Sequence, residues 1–189
     1  MRGYNHKKAA QLINYLAAAN GGSINKMKAF KLIWLVNRLH LRRYARTVTG
    51  DMHVAMEWGP VPSDTKNYIE NNERIDRDKV TYFNEFVELI GRTIHSKKAV
   101  NELVFSETDI EVIDEVLTAY NKFDRFELAK YSHFFPEWKR FEERIAHTKS
   151  SYPMQIEDFF ENYEDEFGLF NDNQDDLNLS KEIFLEKTI

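Results

Sequence analysis

Between Lys7 and Asn20 the apolar residues Leu12, Tyr15, Leu16 and Ala19 recur at i, i+3, i+4 and i+7, the stripe of an amphipathic helix. Asn20-Gly21-Gly22 ends it, with glycine free to take the left-handed position after the last turn. Ser23 or Asn25 is then placed to cap a second helix, Ile24 to Ala45. On that helix Leu32, Ile33, Trp34, Val36, Leu39, Leu41 and Tyr44 spread over more than half the circumference. Lys28, Lys31, Arg38 and Arg42 fall within an arc of roughly 80°, with Leu35 among them. The pattern predicts a helix at the centre of the domain that exposes one narrow basic stripe. Arg43 lands on the apolar side and has no account in this pattern.

Thr49-Gly50-Asp51 reads as a turn. Met52, Val54 and Met56 alternate with polar His53 and Glu57, a short-strand signal. Trp58-Gly59-Pro60-Val61-Pro62 reads as an ordered extended loop, because both prolines fix φ and Gly59 precedes one of them. Ser63 or Asp64 caps a short helix to Asn71. Tyr82–Ile94 fits either strands or a helix, Gly91 marks a break or hairpin, and Val100–Phe105 reads as a short strand. Ser106-Glu107-Thr108-Asp109 starts a helix with face Ile110, Ile113, Leu117 and Tyr120. A shorter helix begins at Asp124, and Pro136 opens another. Met154–Glu166 reads as a last helix and Gly168–Ser180 as loop-like or disordered. The fold class is mainly α: a compact helical domain around a central buried helix, with a small β element formed by short strands or a hairpin. Residues 1–150 form the domain, and 151–189 an acidic, partly helical extension.

Fourteen phenylalanines against seven glycines and four prolines reinforce the reading of helices around one aromatic core. No cysteine is present, which removes disulfides, thiolate metal sites and cysteine nucleophiles together. No signal-peptide pattern and no long uncharged apolar run occurs, so the expectation is a soluble cytoplasmic protein without membrane association. Net charge is −5, but residues 1–50 carry ten Lys or Arg and no acid, whereas 151–189 carry eleven acids against two lysines. Such polarity suggests a basic surface that attracts an anionic partner, or one that pairs with the protein's own tail.

Chemistry-bearing motifs are sparse. No two of the six histidines stand at i, i+3 or i+4, and neither His-Glu-x-x-His, a Gly-x-Ser-x-Gly elbow nor a phosphate-binding loop occurs. His40 and His133 read as capping or packing residues, and the carboxylates as solvated faces. The expectation is a protein that is not an enzyme, with no cofactor, no metal and no catalytic residues. The basic stripe admits phosphate contacts, an acidic partner surface, or simple solvation of a buried helix. The Trp58–Pro62 loop reads as a rigid binding feature, or as a connection held by Trp58 packing inward.

Several of these stretches resemble one family. They are Ala10-Gln11-Leu12-Ile13-Asn14-Tyr15-Leu16, Ile24-Asn25-Lys26-Met27-Lys28-Ala29-Phe30-Lys31-Leu32-Ile33-Trp34 and His40-Leu41. Thr49 to Ala55, Trp58-Gly59-Pro60-Val61, Phe105 to Leu117, and Leu128 to Trp138 follow. Together they resemble the Panacea domain, the SocA-type antitoxin domain of bacterial and phage toxin–antitoxin pairs, over roughly residues 5–145. Trp34 stands where that family usually has tyrosine. The resemblance implies an antitoxin that neutralises a cognate toxin, encoded by an adjacent gene, through direct binding. An adaptor role, delivering the toxin to a protease, is the alternative it carries, beside a nucleic-acid-binding regulator, which the net charge and the missing helix-turn-helix disfavour. The partner surface expected from exposure geometry comprises Lys28, Lys31, Leu35, Arg38 and Arg42 of the stripe with Trp58, Gly59, Pro60 and Val61 of the loop.

Overall fold

A computed structural model describes residues 3–72 and 76–186. Helix α1 (His6–Ala19) opens with the Asn5 side chain accepting from Lys8 N, 3.1 Å. Gly21 and Gly22 both take positive φ, and a short strand β1 (Ser23–Asn25) follows. Asn25 caps α2 (Lys26–Tyr44) by accepting from Met27 N, and Ala45 closes it in the left-handed region. Every residue of α2 from Ala29 to Arg42 is buried. A helix buried on all sides has to be the axis of the domain, and α2 is.

Strands β2 (His53–Met56) and β3 (Gly59–Pro62) form an antiparallel hairpin that runs straight into α3 (Ser63–Ile69). The strand at β2 forms as expected, but its apolar set is not the buried one. His53 and Ala55 face inward while Met52 is 53% exposed. The His53 ring lies against Phe159, centroids 5.6 Å apart, so burial follows the packing partner and not the hydropathy of the side chain. The ambiguous middle resolves into both readings in turn: α4 (Arg77–Phe86), then a hairpin of β4 (Val87–Ile90) and β5 (Thr93–Ser96) turning at Gly91. The strand expected at Val100–Phe105 is instead a 3₁₀ turn, Glu102–Val104. There α1 side chains serve the backbone: Gln11 Oε1 accepts from Asn101 N and Asn14 Nδ2 donates to Lys98 O, leaving no ladder to join.

Helix α5 (Glu107–Tyr120) starts with a full Ser106/Asp109 capping box, and α6 (Arg125–Ser132) with an Asp124/Glu127 box. Then come α7 (Pro136–Lys139), α8 (Glu142–Thr148) and the two-residue strand β6 (Tyr152–Pro153). The sheets are three-stranded and antiparallel, ordered β1-β5-β4 and β3-β2-β6. The expected helix over Met154–Glu166 is a 3₁₀ turn, Ile156–Phe160, followed by irregular chain. The expected loop after Gly168 contains α9 (Gln174–Glu186), whose Asp175 and Asp176 sit in the first turn, where the helix dipole favours acids. Phe159, Phe160, Phe170, Leu177 and Phe184 of this segment are buried in the same core as α1 and α2. The architecture is thus mainly helical with a small β element, α2 at its centre. Among the described residues no helix is long and apolar enough to cross a membrane.

Candidate functional site

The β2–β3 hairpin turns at Glu57-Trp58, and Gly59 follows at φ +90°. Met56 pairs with Gly59, so two residues make the turn and the positive-φ glycine closes it. Gly59 also has no room for a side chain: a Cβ there would stand 2.1 Å from Ser132 Oγ on α6 and 3.0 Å from Lys31 Cε on α2. One residue further, Lys31 Nζ donates to Pro60 O at 2.7 Å. On the other side Trp138 Nε1 donates to Met56 O at 2.8 Å. The hairpin is therefore clamped between α2, α6 and α7. Pro60 and Val61 are buried with Gly59, whereas Trp58 is 53% exposed. Trp58 does not pack inward. Its ring instead meets Phe126 of α6, centroids 6.0 Å apart. Beside the turn, His133 stacks on Trp138 at 3.7 Å, and burial lowers its pKa.

The stripe on α2 departs from expectation. Lys31, Arg38 and Arg42 are buried with Leu35, and of the four cations only Lys28 reaches solvent. Lys28 Nζ donates to Asn121 O at 2.7 Å and Asn20 Oδ1 at 3.1 Å. Among the described residues Lys31 has no acid beside it, and burial pushes its ammonium down to about 7. Arg38 Nε donates to Glu137 Oε1 at 2.9 Å, which also accepts from Trp34 Nε1 at 3.1 Å. The Arg38 guanidinium lies over both the Phe135 and Phe170 rings, 4.9 and 4.7 Å from their centroids. Burial raises the Glu137 carboxyl despite the Arg38 charge.

Arg42 is satisfied almost wholly by the tail. Nε donates to Asp172 Oδ2 at 2.7 Å, and the two terminal nitrogens donate to the carbonyls of Phe159, Glu161 and Phe170 and to Asn162 Oδ1. Arg38 Nη2 also donates to Glu161 O at 2.7 Å. Backbone carbonyls can take an arginine out of water because each supplies an oriented acceptor. Within the basic segment Arg42 pairs with a tail acid, Asp172, whereas Lys8, Lys26, Arg38, Arg43 and Arg46 pair with acids between Glu70 and Glu137. Arg43, unexplained by the helical wheel, reaches Glu115 of α5 at 2.8 Å along the edge of α2.

The family model for the antitoxin SocA-like Panacea domain matches residues 30–139, more than half of the chain. The chain belongs to the Panacea family. No curated protein and no solved structure matches it. The Panacea match begins inside α2 and stops at the end of α7, so it holds the Trp58 hairpin, Lys31, Arg38, Arg42 and Glu137. Lys28 and the tail that covers the arginines fall outside it.

Three buried polar centres of this Panacea domain escaped sequence reasoning. Asp51 accepts from Asp64 N at 2.9 Å, Thr65 N at 3.0 Å and the Thr65 hydroxyl, and so caps α3 from a distance. Asp109, beyond its place in the capping box, holds Lys8, His40 and Arg46 together. Glu137 anchors Trp34 and Arg38. Its only sequence signal is an acid set among Phe134, Phe135 and Trp138, which reads equally well as a helix-start residue. His40, expected to cap or to pack, packs: it is fully buried, with Nδ1 2.8 Å from Arg46 O past the end of α2. Among the described residues no group of His, Asp and Glu is arranged to hold a metal. One open hollow is lined by Arg140, Phe141, Arg144, Gln155, Glu157 and Asp158. Its most buried acid, Asp158, is already taken by a two-point pair with Arg140.

Proposed function

We propose that this chain is an antitoxin that neutralises a cognate toxin, encoded by an adjacent gene, through direct protein–protein binding in the cytoplasm, and that it catalyses nothing itself. Family membership carries the reading; a fold alone does not name a partner. The clamped hairpin supports it, because an exposed tryptophan on a rigid mount is a characteristic contact residue. A phosphate-binding role loses its main support, since Arg38, Arg42 and Lys31 are spent inside the protein.

Co-expression with the neighbouring gene product tests the proposal, scoring growth and then co-purification. Toxicity of the neighbour alone, relieved by this chain together with a stable complex, is the expected result. Relief without a complex would replace neutralisation by proteolytic delivery or repression, and an innocuous neighbour that does not bind would sink the antitoxin reading.

A further inference from the structure

The outward side of α6 and the hairpin tip share one surface. Trp58, Phe126 and Phe134 are 53%, 49% and 51% exposed. Phe126, Lys130 and Phe134 follow at i, i+4 and i+8 along α6 and the turn after it. The Arg125 guanidinium lies 4.5 Å from the centroid of Phe126, the ring that meets Trp58. This is an exposed aromatic pair carrying a cation. Its mount is stiff: the Asp124/Glu127 capping box holds the start of α6, and Lys31 and Ser132 hold the hairpin. Anchors already fixed in place lose little entropy on docking.

Charge narrows the occupant. Arg125 and Lys130 are exposed and form no salt bridge among the described residues, while the nearby acids keep their charge and have local partners. Asp124 and Glu127 close the capping box, and Glu57 pairs with Lys149. We propose that the Trp58–Phe126–Lys130 face docks a segment of a partner protein that presents an apolar side chain flanked by carboxylates. The inference rests on the antitoxin reading and adds to it the surface and the chemistry of what it takes. A protein segment fits better than nucleic acid, because it can set its carboxylates on Arg125 and Lys130 and keep clear of Asp124, Glu127 and Glu57. A phosphate backbone would run its charge past all three acids.

The test uses the full chain and, as probe, the purified product of the adjacent gene. Trp34 and Trp138 are buried, so acrylamide-accessible tryptophan fluorescence reports Trp58. Binding should protect that fluorescence. Trp58→Ala with Phe126→Ala should weaken the complex by about 30-fold or more. Arg125→Glu with Lys130→Glu should weaken it more at low salt than at high salt. All variants sit at exposed positions, and unchanged thermal unfolding confirms that each is folded. A complex formed by the wild type and equally by both variants overturns the surface but leaves the antitoxin reading intact. A wild type that neither binds nor rescues growth overturns both. Retention of labelled single-stranded DNA by the wild type, lost in the aromatic variant, overturns the assignment to a protein partner.

Discussion

Replacing Gly59 by alanine should damage the protein through two separable costs. The first is local: the backbone at Gly59 has φ +90°, and holding an L residue in left-handed space costs about 1–2 kcal/mol. The second is steric. The new Cβ would stand 2.1 Å from Ser132 Oγ, whereas comfortable contacts lie near about 3.5–4.0 Å. Ser132 would have to give way by more than an ångström, yet it is buried and its hydroxyl donates to Ala129 O at 2.7 Å. Overpacking of this kind costs about 1–3 kcal/mol. Together the two predict a loss of about 2–5 kcal/mol, or a melting temperature lowered by about 4–20 °C for a chain of this size. Ser132→Ala removes the clashing atom and leaves the backbone strain. Thermal unfolding of the four proteins of the Gly59→Ala/Ser132→Ala cycle should therefore give a coupling of about 1–3 kcal/mol. Additive losses, agreeing within about 0.5 kcal/mol, would refute the clash; a Gly59→Ala melt within about 2 °C of wild type would refute the whole argument.

Two further outcomes follow from the buried charges. Glu137→Gln keeps the shape but strands the Arg38 guanidinium, and should lose about 3–5 kcal/mol in urea unfolding; Arg38→Met with Glu137→Leu should recover a large part, since apolar pairs often replace buried ion pairs without loss. A cost below about 1 kcal/mol for the single change would remove the pair from the account. Lys31 falls from 10.5 to about 7 on folding, so the unfolded chain binds more protons between those values and stability rises with pH across that window. Lys31→Met should flatten the rise measured between about pH 7 and pH 9.5, below the range where tyrosines titrate; an unchanged slope would place its source elsewhere.

What could be read from the chain was what side-chain identity encodes locally. Asn25, Ser106 and Asp124 cap the helices they precede, and α2 was legible as the axis because its apolar arc is too wide for a surface helix. The helical wheel fails at its basic arc, because charge there does not mean exposure. Arg42 is buried because carbonyls of Phe159, Glu161 and Phe170 reach it, and a carbonyl leaves no mark in the sequence. The same acceptors explain why residues 154–166 do not form the expected helix: carbonyls of Phe159 and Glu161 are turned toward an arginine. At the hairpin, proline and glycine announced rigidity correctly, but nothing local distinguished an inward Trp58 from an outward one. Its outward neighbour, Phe126 on α6, is distant in sequence.

The division of α2's surroundings also bears on how such a module travels between genes. The stretch recognisable by descent begins within α2 and ends at Lys139, yet Leu12, Ile13 and Leu16 on one side and Phe159, Phe170 and Leu177 on the other belong to the same core. The matched stretch is smaller than the core it belongs to. The flanking segments line that core, and the tail supplies every acceptor of Arg42 and one of Arg38. Moved alone, residues 30–139 would keep the Arg38–Glu137 pair but carry Arg42 with none of its acceptors, so a new host would have to supply a closing segment of its own for that one guanidinium.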